Sequence, residues 1–185
     1  MTLLLVTDLE ATCTDKNEFP REEMEIIEIG AVIMDFNGDI LGEYQTFIRP
    51  EKHPTLTDFC KQLTTINQED VDSAQFYRDR MADFSKWIDR TTSGEHFIFC
   101  SWGDFDKNII ARQSKELKTY GHHIVRHHVN LKKKFGAENK LKRDPGVWKA
   151  LQIKKMEFEG TQHRALDDAK NIARLALTLN WNGYK

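Results

Sequence analysis

The chain opens on an apolar run, "LLLVTDLEAT" from Leu3 to Thr12, that breaks into two acids spaced two apart, Asp8 and Glu10. Leu3 to Thr7 reads as a buried strand. A polar segment with Pro20 follows and reads as a loop. Met24 to Phe36, "MEIIEIGAVIMDF", reads as a long strand, Asn37-Gly38 as a hairpin turn, and Ile40 to Ile48 as the returning strand. Residues 54 to 73 read as short helices and turns. Helical spacing of Phe76, Met81, Phe84, Trp87 and Ile88 predicts a helix over 76–90. "HFIFCSW" (96–102) is a second short apolar strand, and a helix follows from Phe105 to Leu117. "HHVNL" (127–131) is a candidate fifth strand, and helices are predicted over Pro145 to Ile153 and Ala165 to Leu179.

This order predicts an α/β protein. An antiparallel hairpin is extended by parallel strands that helical crossovers deliver. In such sheets, function gathers at the carboxyl ends of the parallel strands. Asp8 and Glu10 lie at one such end and "SWGDFD" at another.

On a strand, residues two apart share a side. Asp8 and Glu10 therefore face the same way if the strand persists, and otherwise run out into a solvated acidic loop. At about 100° per residue, Asp106 falls within the apolar arc of Ile109, Ile110 and Leu117. Asp104 falls beside Asn108 and Ala111, where an N-cap or solvent role suits it. The plain reading of Asp106 is a first-turn acid favoured by the helix dipole. In "HRALDDAKNIARLAL", Leu166, Ala169, Ile172, Ala173, Ala176 and Leu179 form the apolar arc. Asp168 sits at its edge, while Asp167 projects with Asn171 and Arg174 on the polar side and needs no partner. His163 is placed on the loop before the helix.

The inward set is thus Asp8, Glu10, Asp106 and Asp168, with His163 near. Four carboxylates from three elements repel one another unless cations neutralise them. Two divalent ions about 3.5–4 Å apart would do so and would activate a water against a phosphodiester. All-oxygen ligands favour Mg²⁺ or Mn²⁺ over Zn²⁺. A histidine, ordinarily titrating near 6.5, is a suitable general base for that water.

Composition adds bounds. Of 185 residues, 30% are charged and 39% hydrophobic, with net charge −2, so no global basic signature marks a nucleic-acid binder. Three cysteines, Cys13, Cys60 and Cys100, are far apart in sequence, form no CxxC pair and read as reduced thiols of a cytoplasmic protein. The amino-terminal segment lacks a basic n-region, and its apolar run is too short for a signal peptide. No apolar stretch approaches the roughly 18 residues of a membrane span.

"TDLEAT", "SWGDFD" and "HRALDDA" resemble the three motifs of the DEDDh exonucleases, in the DnaQ-like, ribonuclease H-like superfamily. Asp8 and Glu10 match the first motif, Asp106 after the aromatic Phe105 the second, and His163 with Asp168 the H-x-A-x-x-D-A of the third. "FIRPE", "LTDFCKQLTTINQEDVD" and "DDAKNIARLAL" are most similar to the group of the 3′ histone-mRNA exonuclease and the RNA-interference-enhancing nuclease. The likeness runs from Leu5 to about Leu179. It implies one exonuclease domain over residues 1–185 with a five-stranded mixed sheet flanked by helices. It also implies 3′→5′ removal of nucleotides from single-stranded RNA or DNA 3′ ends, two Mg²⁺ or Mn²⁺ ions, and 5′-monophosphate products. Asp8 would bridge both metals, and Glu10, Asp106 and Asp168 would complete the cage. The chain departs at Thr65, where relatives often carry glycine, and 185 residues leave no room for an accessory binding domain. A DNA-directed proofreading or repair enzyme and a non-catalytic nucleic-acid-binding module on the same fold are the alternatives.

Ala11 and Thr12, just after the paired acids, and Trp102 and Phe105 are candidate nucleotide contacts, although core packing is the plainer role for the two aromatics. Glu28, inside "IIEIGAVI", reads as a partly exposed strand acid. His123 and His127 would suit a transition metal only on a helix, and the segment reads as turn and strand. The runs Lys132-Lys133-Lys134 and Lys140 to Arg143 read as solvated faces, with phosphate contact as the alternative.

Overall fold

The amino-terminal strand does not stop at the acids. β1 (Leu3–Ala11) carries through both and is the middle strand of a five-stranded sheet. The computed structural model describes residues 2–119 and 121–184. On one side of β1 lie β2 (Ile26–Met34) and β3 (Ile40–Phe47), each antiparallel to its neighbour. On the other side lie β4 (Phe97–Ser101) and β5 (His128–Asn130), both parallel. The spatial order is β3-β2-β1-β4-β5, the mixed sheet that the succession of elements predicts.

Alternation along β1 builds two cores. Leu3, Leu5 and Leu9 face α3 (Tyr77–Thr92) and α4 (Phe105–Glu116), packing with Met81, Phe84, Trp87, Ile109 and Ile110. Leu4 and Val6 face the opposite layer, where α6 (Leu131–Glu138), α7 (Val147–Ile153) and α8 (Ala165–Ala176) supply Phe135, Leu151, Ala169 and Ile172. Two steps further on the Leu4–Val6 face come Asp8 and Glu10, so the strand that fills a core also aims the acids toward α8. The short helices α1 (Asp58–Thr64), α2 (Gln68–Asp72) and α5 (Gly121–Ile124) complete the described elements, with a 3₁₀ turn at Arg21–Glu23.

Local chemistry sets the joints. In the β2–β3 turn the Asp35 carboxylate accepts the amides of Asn37, Gly38 and Asp39 at 2.8, 2.9 and 2.9 Å, and Gly38 takes φ +99°. Thr57 caps α1 by accepting the Cys60 amide at 3.0 Å. Thr65 closes that helix at φ +59°, a left-handed conformation that favours glycine.

Gly30 on β2 is where α8 lands. A Cβ there would lie 2.0 Å from the Ala165 carbonyl carbon, a backbone atom that cannot swing aside. Gly30→Ala is expected to destabilise the fold by about 2–3 kcal/mol, seen as a drop of several degrees in melting temperature. An unchanged melting temperature would refute this close approach.

Several expectations need correction. Residues 131–138 form α6, a helix the hydrophobic pattern does not announce, because Leu131 and Phe135 are its only large apolar residues, among three lysines. Its signal is Asn130, whose side chain accepts the Lys133 amide at 3.0 Å. Two of the three lysines form ion pairs: Lys133 with Asp104 at 3.0 Å, and Lys134 with Glu138 at 2.8 Å. β2 begins at Ile26 rather than Met24; just before it, the Thr12 amide donates to the Glu25 carbonyl at 2.8 Å and the Thr12 hydroxyl accepts the Glu25 amide at 2.9 Å. Cys13 and Cys60, far apart in sequence, come together in the fold as free thiols. The Thr57 hydroxyl joins them, donating to the Cys13 carbonyl at 2.6 Å.

Candidate active site

Three elements deliver four carboxylates to the carboxyl end of β1. Asp8 and Glu10 come from β1 itself. Asp106 comes from the first turn of α4 and is 5% exposed; Asp168 comes from the first turn of α8 and is 8% exposed. Polar groups of Leu9 and Ser101 lie beside Asp106 and favour its charged form. Asp168 accepts the His163 amide at 2.7 Å, which ties the loop before α8 to the site. His163 adopts φ +62° and is half-buried. Ligand-capable atoms of Glu10, His163 and Asp168 all lie within 4.8 Å of one another. Sequence periodicity singled out Asp106 and Asp168, and the structure brings both to the paired acids.

Electrostatics shows the strain of this arrangement. Burial, with the charges of Asp106, Asp168 and Glu10, pushes Asp8 well above the usual carboxylate range. Burial and the Asp168 and Glu28 charges raise Glu10 to about 9. Burial raises Asp106 to about 7, against hydrogen bonds that hold it down, and raises Asp168 to about 6. Carboxylates that resist ionisation together are the donor set a hard divalent cation neutralises. The residues present therefore fit a divalent-metal site, which Asp8, Glu10, Asp106 and Asp168 would hold.

Neighbouring acids sort differently. Asp104 stands at the N-cap of α4, but its side chain makes no cap bond. It turns to Lys133, whose ammonium holds it below the usual range, and lies 3.8 Å from His128 Nδ1. Nor is Asp167 without a partner: it accepts the Thr161 amide at 2.7 Å. The polar side of α8 is covered there, with Asn171 fully buried against the Glu159 backbone.

Glu28 reverses its sequence reading most clearly. It is fully buried, directly across from Glu10 in the β1–β2 register. Arg164 and the Ala165 amide hold it, at 3.0 Å from Nη2 and 3.1 Å from the amide. Period-2 alternation could have flagged it, since it shares the face of Gly30 and Val32; what was invisible is that α8 covers that face. Ser101 and His128 were missed as well. His128 Nε2 bonds the Ser101 hydroxyl at 2.9 Å, behind Asp106.

The candidate nucleotide contacts are all tied into the fold. Thr12 is 2% exposed, and its hydroxyl accepts the Glu25 amide at 2.9 Å. The Ala11 carbonyl accepts the Cys60 thiol at 3.7 Å. Trp102 packs on Phe135 and donates to the Pro145 carbonyl at 2.9 Å. Phe105 is half-buried beneath the Arg21 guanidinium, 5.6 Å from its ring centroid. Arg21, Phe105, Asn108 and Arg112 line a cavity of about 400 Å³. His123 lies on α5 and His127 beyond its end, so the two do not share one helix.

The profile of the exonuclease family matches residues 5–176. The chain is 30% identical to the Xenopus laevis "ERI1 exoribonuclease 2", covering 97% of this chain and 28% of that protein. It is 31% identical to the Rattus norvegicus "3′-5′ exoribonuclease 1", covering 97% and 53%. The chain thus spans from about a quarter to about half the length of these relatives. Among solved structures, the nuclease domain of 3′hExo, a DEDDh family member bound to rAMP, superposes with a TM-score of 0.88. That match has 28% identity and covers 98% of this chain and 92% of that one. With its four acids and histidine gathered at one strand end, and the family profile spanning nearly its whole length, the chain belongs to the exonuclease family.

Proposed function

We propose that the chain hydrolyses phosphodiester bonds at the 3′ ends of single-stranded RNA, releasing nucleoside 5′-monophosphates. The observation that carries the reading is the convergence of Asp8, Glu10, Asp106 and Asp168 beside His163. The relatives named as exoribonucleases and the rAMP-bound structure favour RNA over DNA. The proposal includes Mg²⁺ or Mn²⁺ as the metal and a cytoplasmic setting.

Bound divalent ions would supply charge stabilisation at the phosphate. The chain's own residues do the rest. The four carboxylates would hold the ions and fix the end of the strand. His163, on its loop, accepts the proton of the attacking water through a ring nitrogen. The Asp168 carboxylate holds the His163 amide, so the base and the cage are linked through one side chain.

His163→Ala is expected to lower kcat by about 10²–10⁴-fold while leaving the Mn²⁺-induced rise in melting temperature largely in place. Unchanged turnover would remove the general-base role. Matched 5′-labelled RNA and DNA oligonucleotides test the substrate. A ladder shortening from the 3′ end, faster on RNA, is the expected result. A faster DNA ladder would favour the proofreading or repair alternative. Binding without metal uptake or cleavage would make the chain a non-catalytic module.

A further inference from the structure

We propose that Glu28 and Arg164 form a buried clamp that positions His163 for proton transfer, and this rests on the hydrolase reading above. Glu28 lies next to the cage yet is no ligand for it, because both of its oxygens are taken. Oε1 accepts Arg164 Nη2 at 3.0 Å and Gln45 Nε2 at 2.5 Å. Oε2 accepts Arg164 Nε at 3.3 Å and the Ala165 amide at 3.1 Å. The two-pronged pairing with a guanidinium is geometrically specific in a way that an ammonium cannot reproduce.

The clamp grips the two residues that directly follow His163. On the other side, the His163 amide is fixed to Asp168. The residue between these anchors sits at φ +62°, a conformation sparsely populated by non-glycine residues. Such a conformation persists where its surroundings over-determine it. The surroundings here are specific. Gly30, two residues from Glu28 on the same strand face, lets the Ala165 backbone approach the sheet, and the Phe47 ring lies 5.3 Å from the Arg164 guanidinium carbon. A fully buried carboxylate is retained at the cost of desolvation, and geometric specificity is what it gives in return. His163 is the group whose geometry it sets.

The test measures kcat, KM and the Mn²⁺ midpoint of the thermal shift on a single-stranded RNA oligonucleotide. The variants are Glu28→Gln and Arg164→Lys, each alone and combined with His163→Ala. Glu28→Gln removes a charge felt by Asp8 and Glu10, while Arg164→Lys keeps the charge and loses only the two-pronged geometry. Arg164 is 26% exposed, so its variant reads the clamp in a folded protein. Each single variant is expected to lose about tenfold or more in kcat, and in Arg164→Lys KM and the Mn²⁺ midpoint should change less than about twofold. In the His163→Ala background the further loss should be under about twofold, because the histidine through which the clamp acts is gone. Wild-type kcat in Arg164→Lys, or the same tenfold loss in both backgrounds, overturns the proposal. Hydrogen exchange at the amides of residues 163–165 reads the clamp without turnover, and is expected to quicken in both variants; unchanged exchange overturns it too. A wild-type protein that cleaves no oligonucleotide overturns the hydrolase reading instead.

Discussion

Asp8→Asn is expected to abolish hydrolysis, by at least about 10³-fold, and at the same time to make the metal-free protein more stable. The two effects have one cause. Asp8 is pressed between Asp106, Asp168 and Glu10 in a buried setting, and all of these neighbours raise the cost of its charge. An asparagine of the same shape cannot carry that charge, so near pH 8 the metal-free variant should melt at a higher temperature than wild type. The same change removes a ligand, so the rise in melting temperature with saturating Mn²⁺ should shrink. Activity and metal-free stability therefore move in opposite directions, which a general disruption of the fold cannot produce. Measured together, full activity in the variant, or a loss of metal-free stability, would count against the cage.

The parts of this site that share a period with their surroundings were legible in the sequence. Asp106 and Asp168 stand out because helical phase turns them toward apolar neighbours and turns Asp104 and Asp167 away. Asp8 and Glu10 stand out because alternation continues the face of Leu4 and Val6. Glu28 obeys the same alternation but was misread, since a strand acid looks alike whether its face meets water or a helix. Its partner Arg164 lies 136 residues away and arrives only when α8 docks on Gly30. The sheet was legible for a related reason: its central strands are long apolar runs, and β1 to β4 differ from expectation mainly at their ends. α6 was hidden because its stability comes from two buried side chains and a cap rather than from an amphipathic stripe. The contact of Cys13 with Cys60 was equally hidden, because it depends on α1 folding back over the end of β1.

Metal-free protein should lose stability as pH rises from about 5 to about 9, seen as a falling melting temperature, and saturating Mn²⁺ should abolish most of that loss. The sign follows from proton counting. In the unfolded chain the acids titrate near 4, whereas in the folded state Asp168 is raised to about 6, Asp106 to about 7 and Glu10 to about 9. Between those values the folded protein binds more protons than the unfolded chain. Stability then falls with rising pH, beginning near pH 4 and levelling off once the highest folded value is passed. Paired surface carboxylates, such as Asp104 under Lys133, act in the opposite sense, but their window closes below about pH 4. A cation bound to the ionised cage stabilises the folded state alone, and more strongly at high pH, where no proton must leave for it to bind. The expected pair of curves therefore diverges: metal-free melting temperature sloping down, metal-loaded melting temperature nearly flat. Parallel curves would mean that the four carboxylates do not share one site.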